Sequence, residues 1–214
     1  MCEPNELRAY LEKCRDAVTV LPSYALADEV LRPIFRERPE NTSPSDVLLK
    51  VVTLNSLYAT SVYAVYRMAD HVAANGEQLD AWLQAGDDRA VDKIRHVPRL
   101  LTRNKIPRDF YSFATKYCHW HRPSLFPMYD RYVRDALQPL RRSLDLPIVE
   151  AERLRKTKTF RNVIDGTRAA LNWTDSGYKS LDQALWILGQ RLDPDVDPDL
   201  RKFVGRLPRC LRST

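Results

Sequence analysis

Two residues near the middle of this chain could do chemistry without a cofactor. Lys116 lies in YSFATKYCHWH at 111–121, and Asp130 opens DRYVR at 130–134. They stand fourteen residues apart, across a loop that carries Pro123 and Pro127. A lysine amine is nucleophilic only when neutral, and partial burial among Tyr117, Trp120 and Phe126 favours that form. An aspartate at the start of a helix keeps its charge, because a helix N-terminus stabilises an anion. If the two meet, an amine and a carboxylate share one site. Each also has a plainer role, the lysine snorkelling to water and the aspartate capping its helix.

The elements that must position them read as helices. The chain has only 6 glycines, no sustained alternation rich in β-branched residues, and several windows with apolar residues at helical spacing. An all-α fold follows. Helices are expected over 4–17 and 22–37, and RPENTSPSD at 38–46 is a polar loop ending in N-cap residues. From 47 to 74 the apolar positions Val51, Leu54, Tyr58, Val62, Val65, Tyr66, Ala69 and Val72 keep helical spacing. The Ser, Thr and Asn side chains of TLNSLYATS favour two helices broken near 55–61. Further helices are expected over 77–86 and 88–102.

A basic turn, TRNKIP, precedes the lysine helix. Between Lys93 and Arg108 lie Lys93, Arg95, Arg99, Arg103, Lys105 and Arg108 with no acid among them. Phe110, Phe113, Ala114, Tyr117, Cys118 and His121 form the inward stripe of the next helix, which Pro123 ends. Asp130 caps a helix whose stripe is Val133, Leu137, Leu140 and Leu144. Residues 149–171 form a basic helical segment. Ser180 and Gln183 suggest a capping box for a helix buried through Leu181, Ala184, Leu185, Leu188 and Leu192, with Gly189 near its end. The tail from 193 to 214 is rich in Asp, Pro and Arg.

One helical domain over 1–214 is expected, with lobes at 47–110 and 111–190 preceded by N-terminal helices at 4–37. At 214 residues, with 44% hydrophobic content, the chain can bury a sizeable core. Its net charge of +6 suits a polyanionic partner without requiring one. Cys2, Cys14, Cys118 and Cys210 form no CxxC pair, and neither a leader segment nor a membrane span is visible. The expectation is a reduced, cytoplasmic protein that does not engage membranes. Cys118, His119 and His121 contain zinc-ligand types, but His119 is expected to point away from the other two and no second cluster completes a site. No metal is expected.

The order of basic turn, Lys116 helix, proline loop and Asp130 resembles the helix-hairpin-helix DNA glycosylases. Lys116, Pro123 and Asp130 stand in a K-x6-P-x6-D layout, similar to the compact bacterial 8-oxoguanine glycosylase-like branch. The likeness spans roughly residues 47–135 and the helix at 180–190. It implies a two-lobed helical bundle with a central cleft, no cofactor, and a monomer acting on double-stranded DNA. By this resemblance Lys116 attacks the anomeric carbon beneath a modified base, an 8-oxoguanine-like purine first among candidates, and its amine would add lyase activity. Asp130 would orient the amine and stabilise positive charge on the sugar. Trp120, one turn beyond Lys116, and Trp186 with Asp182 on its flank are the base-pocket candidates. Arg103, Asn104, Lys105, Arg108, Arg131 and Arg134 would contact DNA, as would Asn55 and Tyr58 on the early helix.

The chain departs from that superfamily in one respect, since no glycine precedes Lys116 in 110–115, so side chains must reach the phosphates. A non-catalytic nucleic-acid-binding module on the same scaffold therefore stays open. So does a helical scaffold protein whose basic residues are solvated surface.

Overall fold

The computed structural model describes residues 3–102, 104–175, 177–195 and 197–212. Eleven α-helices run through these residues, with 3-10 turns at Val18–Val20, Arg153–Arg155 and Arg209–Leu211 and no strand beyond one isolated bridge. The protein is all-α. No helix among the described residues is long and apolar enough to cross a membrane. The chain divides into two compact units, residues 26–126 and residues 1–25 with 127–214.

In the 26–126 unit, α2 (Pro22–Glu37) ends before the polar loop, and α3 (Pro44–Tyr58) starts at Ser43, whose side chain accepts from the Asp46 N–H. Ala59 ends α3 in a left-handed conformation, φ 48°, and α4 (Val65–Ala73) begins after a six-residue connection. The break thus falls at 59–64, overlapping the C-terminal part of the hydroxyl- and amide-rich stretch that suggested it. Next come α5 (Gly76–Ala85), closed by Gly86 at φ 69°, and α6 (Arg89–Arg95).

Helix α6 stops well short of the expected 102. Pro98 disfavours helical geometry at Val97, and Arg99 turns left-handed at φ 63°. The chain then forms a hairpin. Leu101 bridges Pro107 antiparallel, the Thr102 N–H donates to the Ile106 carbonyl at 2.8 Å, and the Arg108 N–H donates to the Leu100 carbonyl at 2.8 Å. Helix α7 (Tyr111–His121) follows. Arg95 locks α6 to the start of α7 across the hairpin base, with a two-pronged bond to Asp109 at 2.8 and 2.5 Å and its guanidinium 4.4 Å from the Tyr111 ring centre. One of the six cations of the basic segment is therefore neutralised by the acid just beyond it.

In the other unit, α10 (Lys179–Leu192) packs against α1 (Pro4–Ala17) and α8 (Arg131–Ser143). Leu181, Ala184, Leu185, Ile187 and Leu188 of α10 are all fully buried. Gly189 marks the closest approach, because a Cβ there would lie 2.1 Å from the Tyr132 carbonyl oxygen. That contact, rather than a C-cap, is its role. The expected capping box does not form. Tyr178 is the N-cap and the Ser180 hydroxyl accepts from Trp173 Nε1 at 2.9 Å.

The expected 149–171 segment is split at Lys156 into a 3-10 turn and α9 (Thr157–Ala170). The tail carries α11 (Pro198–Val204), started by Asp197, whose side chain accepts from the Asp199 N–H. Cys14 and Cys118 are buried free thiols, whereas Cys210 is disulfide-bonded, a departure from the all-thiol expectation.

Candidate functional site

Helix α7 is buried nearly all round, because Thr115, Lys116 and His119 join the apolar stripe inside. Lys116 is only 3% exposed. Its ammonium donates to the Ser112 hydroxyl, one turn back, at 2.9 Å and lies 5.6 Å from the centre of the Tyr58 ring at the end of α3. A lysine held against a hydroxyl and an aromatic face, out of water, is a restrained amine rather than a snorkelling one.

Asp130 stands at the N-cap of α8, and its Oδ1 accepts from the Val133 N–H at 2.9 Å. Two neighbours set its position. Asp182 of α10, 1% exposed, accepts from the Met128 N–H at 3.0 Å, and Gly189 admits the backbone of Tyr132. The loop before Asp130 and the helix after it are thus both fastened to α10. Asp182 is a brace for the Asp130 loop, a role the sequence did not suggest.

The aromatic candidates are packed. Trp120, 8% exposed, lies 6.2 Å from Phe35 and 6.4 Å from His119 between ring centres. Trp186 is half-buried between Tyr24 at 5.5 Å and Tyr132 at 6.2 Å.

Among the expected DNA contacts, Asn104 and Lys105 are exposed at the hairpin tip, where Lys105 takes φ 60°. Arg103 lies outside the described residues. The Arg108 guanidinium sits 5.6 Å from the ring of Tyr63. Arg131 is exposed but tied to the Tyr132 hydroxyl at 2.9 Å and Asp193 at 3.4 Å, and Arg134 is paired with Asp135 at 2.7 Å.

Asn55 faces inward to its own loop. Its amide oxygen accepts from the Val62 N–H at 2.8 Å and the Thr60 hydroxyl at 2.9 Å, and its amide nitrogen donates to the Val62 carbonyl at 3.2 Å. Tyr58 is the early-helix residue that meets Lys116.

A second buried lysine carries no signal in the sequence. Lys50 of α3 is wholly buried and donates to the Arg38 and Glu40 carbonyls at 3.1 and 2.8 Å and to Asn41 Oδ1 at 2.9 Å. The Tyr117 hydroxyl donates to the same Asn41 oxygen at 2.5 Å, and Asp80 accepts from the Asn41 side chain at 2.6 Å. Burial pulls the Lys50 ammonium down to about 8, against the opposing pull of Asp80 and Asp46. His121, with Nε2 at 3.5 Å from Lys50 Nζ, is held well below its ordinary value by burial and then by Lys50 and Arg122. This network pins the 38–41 turn to α3 and α7, and so fixes the helix that carries Lys116.

The zinc-type residues are used otherwise. His119 is buried, not outward, with Nδ1 2.7 Å from the Phe126 carbonyl. Among the described residues no three His, Cys, Asp or Glu side chains are placed to hold a metal ion.

The profile of the HI_0787_N family, described as an N-terminal domain, matches residues 6–125. An "Uncharacterized protein" of Haemophilus influenzae is 29% identical over 155 residues, 72% of each chain. No solved structure matches the chain.

Proposed function

The chain belongs to the HI_0787_N family, and we propose that this member is a DNA glycosylase that removes a modified base from double-stranded DNA, an 8-oxoguanine-like purine foremost. The observation that carries the reading is Lys116. It is 3% exposed, held by Ser112 and Tyr58, on the helix that follows a helix and a basic hairpin. The loop after it leads to Asp130, whose carboxylate sits at the N-terminus of α8.

In the proposed reaction the neutral Lys116 amine adds to C1′ of the nucleotide. The C1′–N bond breaks with its electron pair passing to the base, which takes up a proton as it leaves. The attached amine then gives a proton to the ring oxygen O4′ as the C1′–O4′ bond breaks, leaving a protonated Schiff base at C1′ that supports strand cleavage. Asp130, at the N-terminus of α8, stabilises the positive charge that develops on the sugar. A base must leave the stack for this chemistry, and Trp120 and Trp186 are the flat side chains proposed to receive it. A crystal structure with an abasic-site duplex tests the reading, which expects the Lys116 nitrogen and an Asp130 oxygen each to contact the abasic sugar.

Borohydride trapping tests the chemistry. Incubation with 8-oxoguanine and abasic duplexes should give a covalent adduct at Lys116 that Lys116→Gln does not form. DNA binding without any adduct on the lesion panel would instead support a non-catalytic nucleic-acid-binding module, the reading favoured by the absence of glycine from the hairpin.

A further inference from the structure

Two loops of the 26–126 unit meet at Tyr63, whose ring lies mostly in solvent. Tyr63 is 82% exposed, the highest value among the exposed large hydrophobic side chains of the described residues, and Tyr66 on the first turn of α4 is 71% exposed. Exposure of this kind is ordinary on a mobile loop, but this loop is stapled. Asn55 holds it through the Val62 N–H, the Val62 carbonyl and the Thr60 hydroxyl. Val62 itself is buried at 1% exposure, so the residue next to Tyr63 is an anchor in the core. Ala59 and Ser61, neither of them glycine, take left-handed backbone angles of 48° and 59° to make the turn. Such conformations persist only where the surroundings impose them.

The second loop is the hairpin. Arg108, at its base, places its guanidinium 5.6 Å from the Tyr63 ring. Lys105 at the tip and Arg99 at the start are exposed, as is Arg67 on α4. Asp109, the acid nearest in sequence, is occupied by Arg95. An aromatic face fixed in solvent beside the Arg108 guanidinium, with Arg99 and Lys105 exposed on the same hairpin, matches a ligand that offers flat rings and anionic links in alternation, which is the chemistry of a nucleic-acid strand.

We infer that Tyr63 is a base-stacking contact, and that the phosphates flanking the stacked base lie over the hairpin cations Lys105 and Arg108. The inference rests on the nucleic-acid reading of the function, and it adds a contact separate from the base pocket around Lys116. Arg108 keeps the ring in place and carries a phosphate, while Asn55 acts only through the loop as a positioning residue. Stacking is indifferent to base identity, so this contact would hold the strand beside the lesion and not select the lesion.

The test separates stacking from charge. Binding of the full chain to an abasic-site duplex is measured by fluorescence anisotropy between 50 and 200 mM salt, about the range over which counterion release is well resolved. Tyr63→Ala should weaken binding by roughly tenfold with the salt slope unchanged, because it removes a ring and no phosphate contact. Tyr63→Phe should bind like wild type. Lys105→Gln should instead lower the slope by about one and weaken binding at low salt most. Tyr63 lies in solvent, so its variants should keep the wild-type circular dichroism spectrum. If Tyr63→Ala binds like wild type while Lys116 still forms a trapped adduct, the inference fails and the glycosylase reading stands. Equal losses for Tyr63→Ala and Tyr63→Phe would also overturn stacking. If wild-type protein binds no DNA at low salt, the inference and the functional reading fall together.

Discussion

The Lys50 ammonium donates to Asn41 Oδ1 at 2.9 Å, and the Tyr117 hydroxyl donates to that same oxygen at 2.5 Å. One amide thereby joins the polar turn after α2 to two helices, and the turn's own carbonyls at Arg38 and Glu40 depend on the same ammonium. Lys50→Met keeps the length of the side chain but leaves those carbonyls without this donor. A loss of about 2 to 4 kcal/mol in unfolding free energy is expected, read from urea denaturation, since an unsatisfied buried polar group costs about 1 to 3 kcal/mol. An unchanged midpoint would show that water replaces the ammonium.

The same cluster makes stability depend on pH at both ends. His121 is held well below its ordinary 6.5 by burial, Lys50 and Arg122. The unfolded chain therefore takes up a proton that the folded chain refuses, and stability falls as pH drops below about 6.5. Lys50 is pulled down to about 8 by burial from its ordinary 10.5. Between those values the unfolded chain holds more protons, so stability rises with pH. Urea midpoints at pH 5, 7, 8 and 10, chosen at roughly those windows, should show both slopes in wild type. His121→Gln should flatten the acid limb, and Lys50→Met the alkaline one.

Lys116→Gln is expected to abolish trapping and turnover with the fold intact. Asp130→Asn should greatly slow turnover, and Asp130→Ala should in addition cost about 1 kcal/mol through loss of the cap on the Val133 N–H. Single-turnover assays with thermal denaturation read both. Full activity in either Asp130 variant would remove that residue from the mechanism.

Gly189→Ala places a methyl group 2.1 Å from the Tyr132 carbonyl oxygen, where backbone must move. Overpacking of this kind costs about 1 to 3 kcal/mol or more. Because Tyr132 is two residues from Asp130, turnover should fall beyond what the lower melting temperature explains. Ordinary stability would mean that α8 and α10 separate without penalty.

Trp120 packs on Phe35, so Trp120→Ala should destabilise by about 3 kcal/mol or more. If the indole also receives an extrahelical base, lesion duplexes should lose roughly tenfold in affinity while abasic duplexes change far less. Equal losses for both duplexes would assign the ring to the core alone.

What the sequence determined is local. The break between α3 and α4, the end of α7 at Pro123 and the capping of α8 by Asp130 all rest on a residue's own backbone preference and its partners three or four positions away. Those forces act within a turn of chain, so they are legible before any fold is known. Where a distant partner competed, the local rule lost. Ser180 was available as a cap, but the Trp173 indole took its hydroxyl and the helix began without one.

Tertiary structure alone decided which polar side chains are inside. Lys50 stands between Val47 and Val51 and reads as the polar edge of an amphipathic helix, yet it is wholly buried because the 38–41 turn brings three oxygens to its ammonium. Tyr66 kept helical spacing with the core positions and is nonetheless 71% exposed. Asp182 shared a flank with Trp186 and became the brace of the loop before Asp130. A buried charge or hydroxyl survives only where several acceptors or donors from separate segments converge on it. Such convergence depends on the packing of the whole unit, and periodicity along one helix carries no information about it.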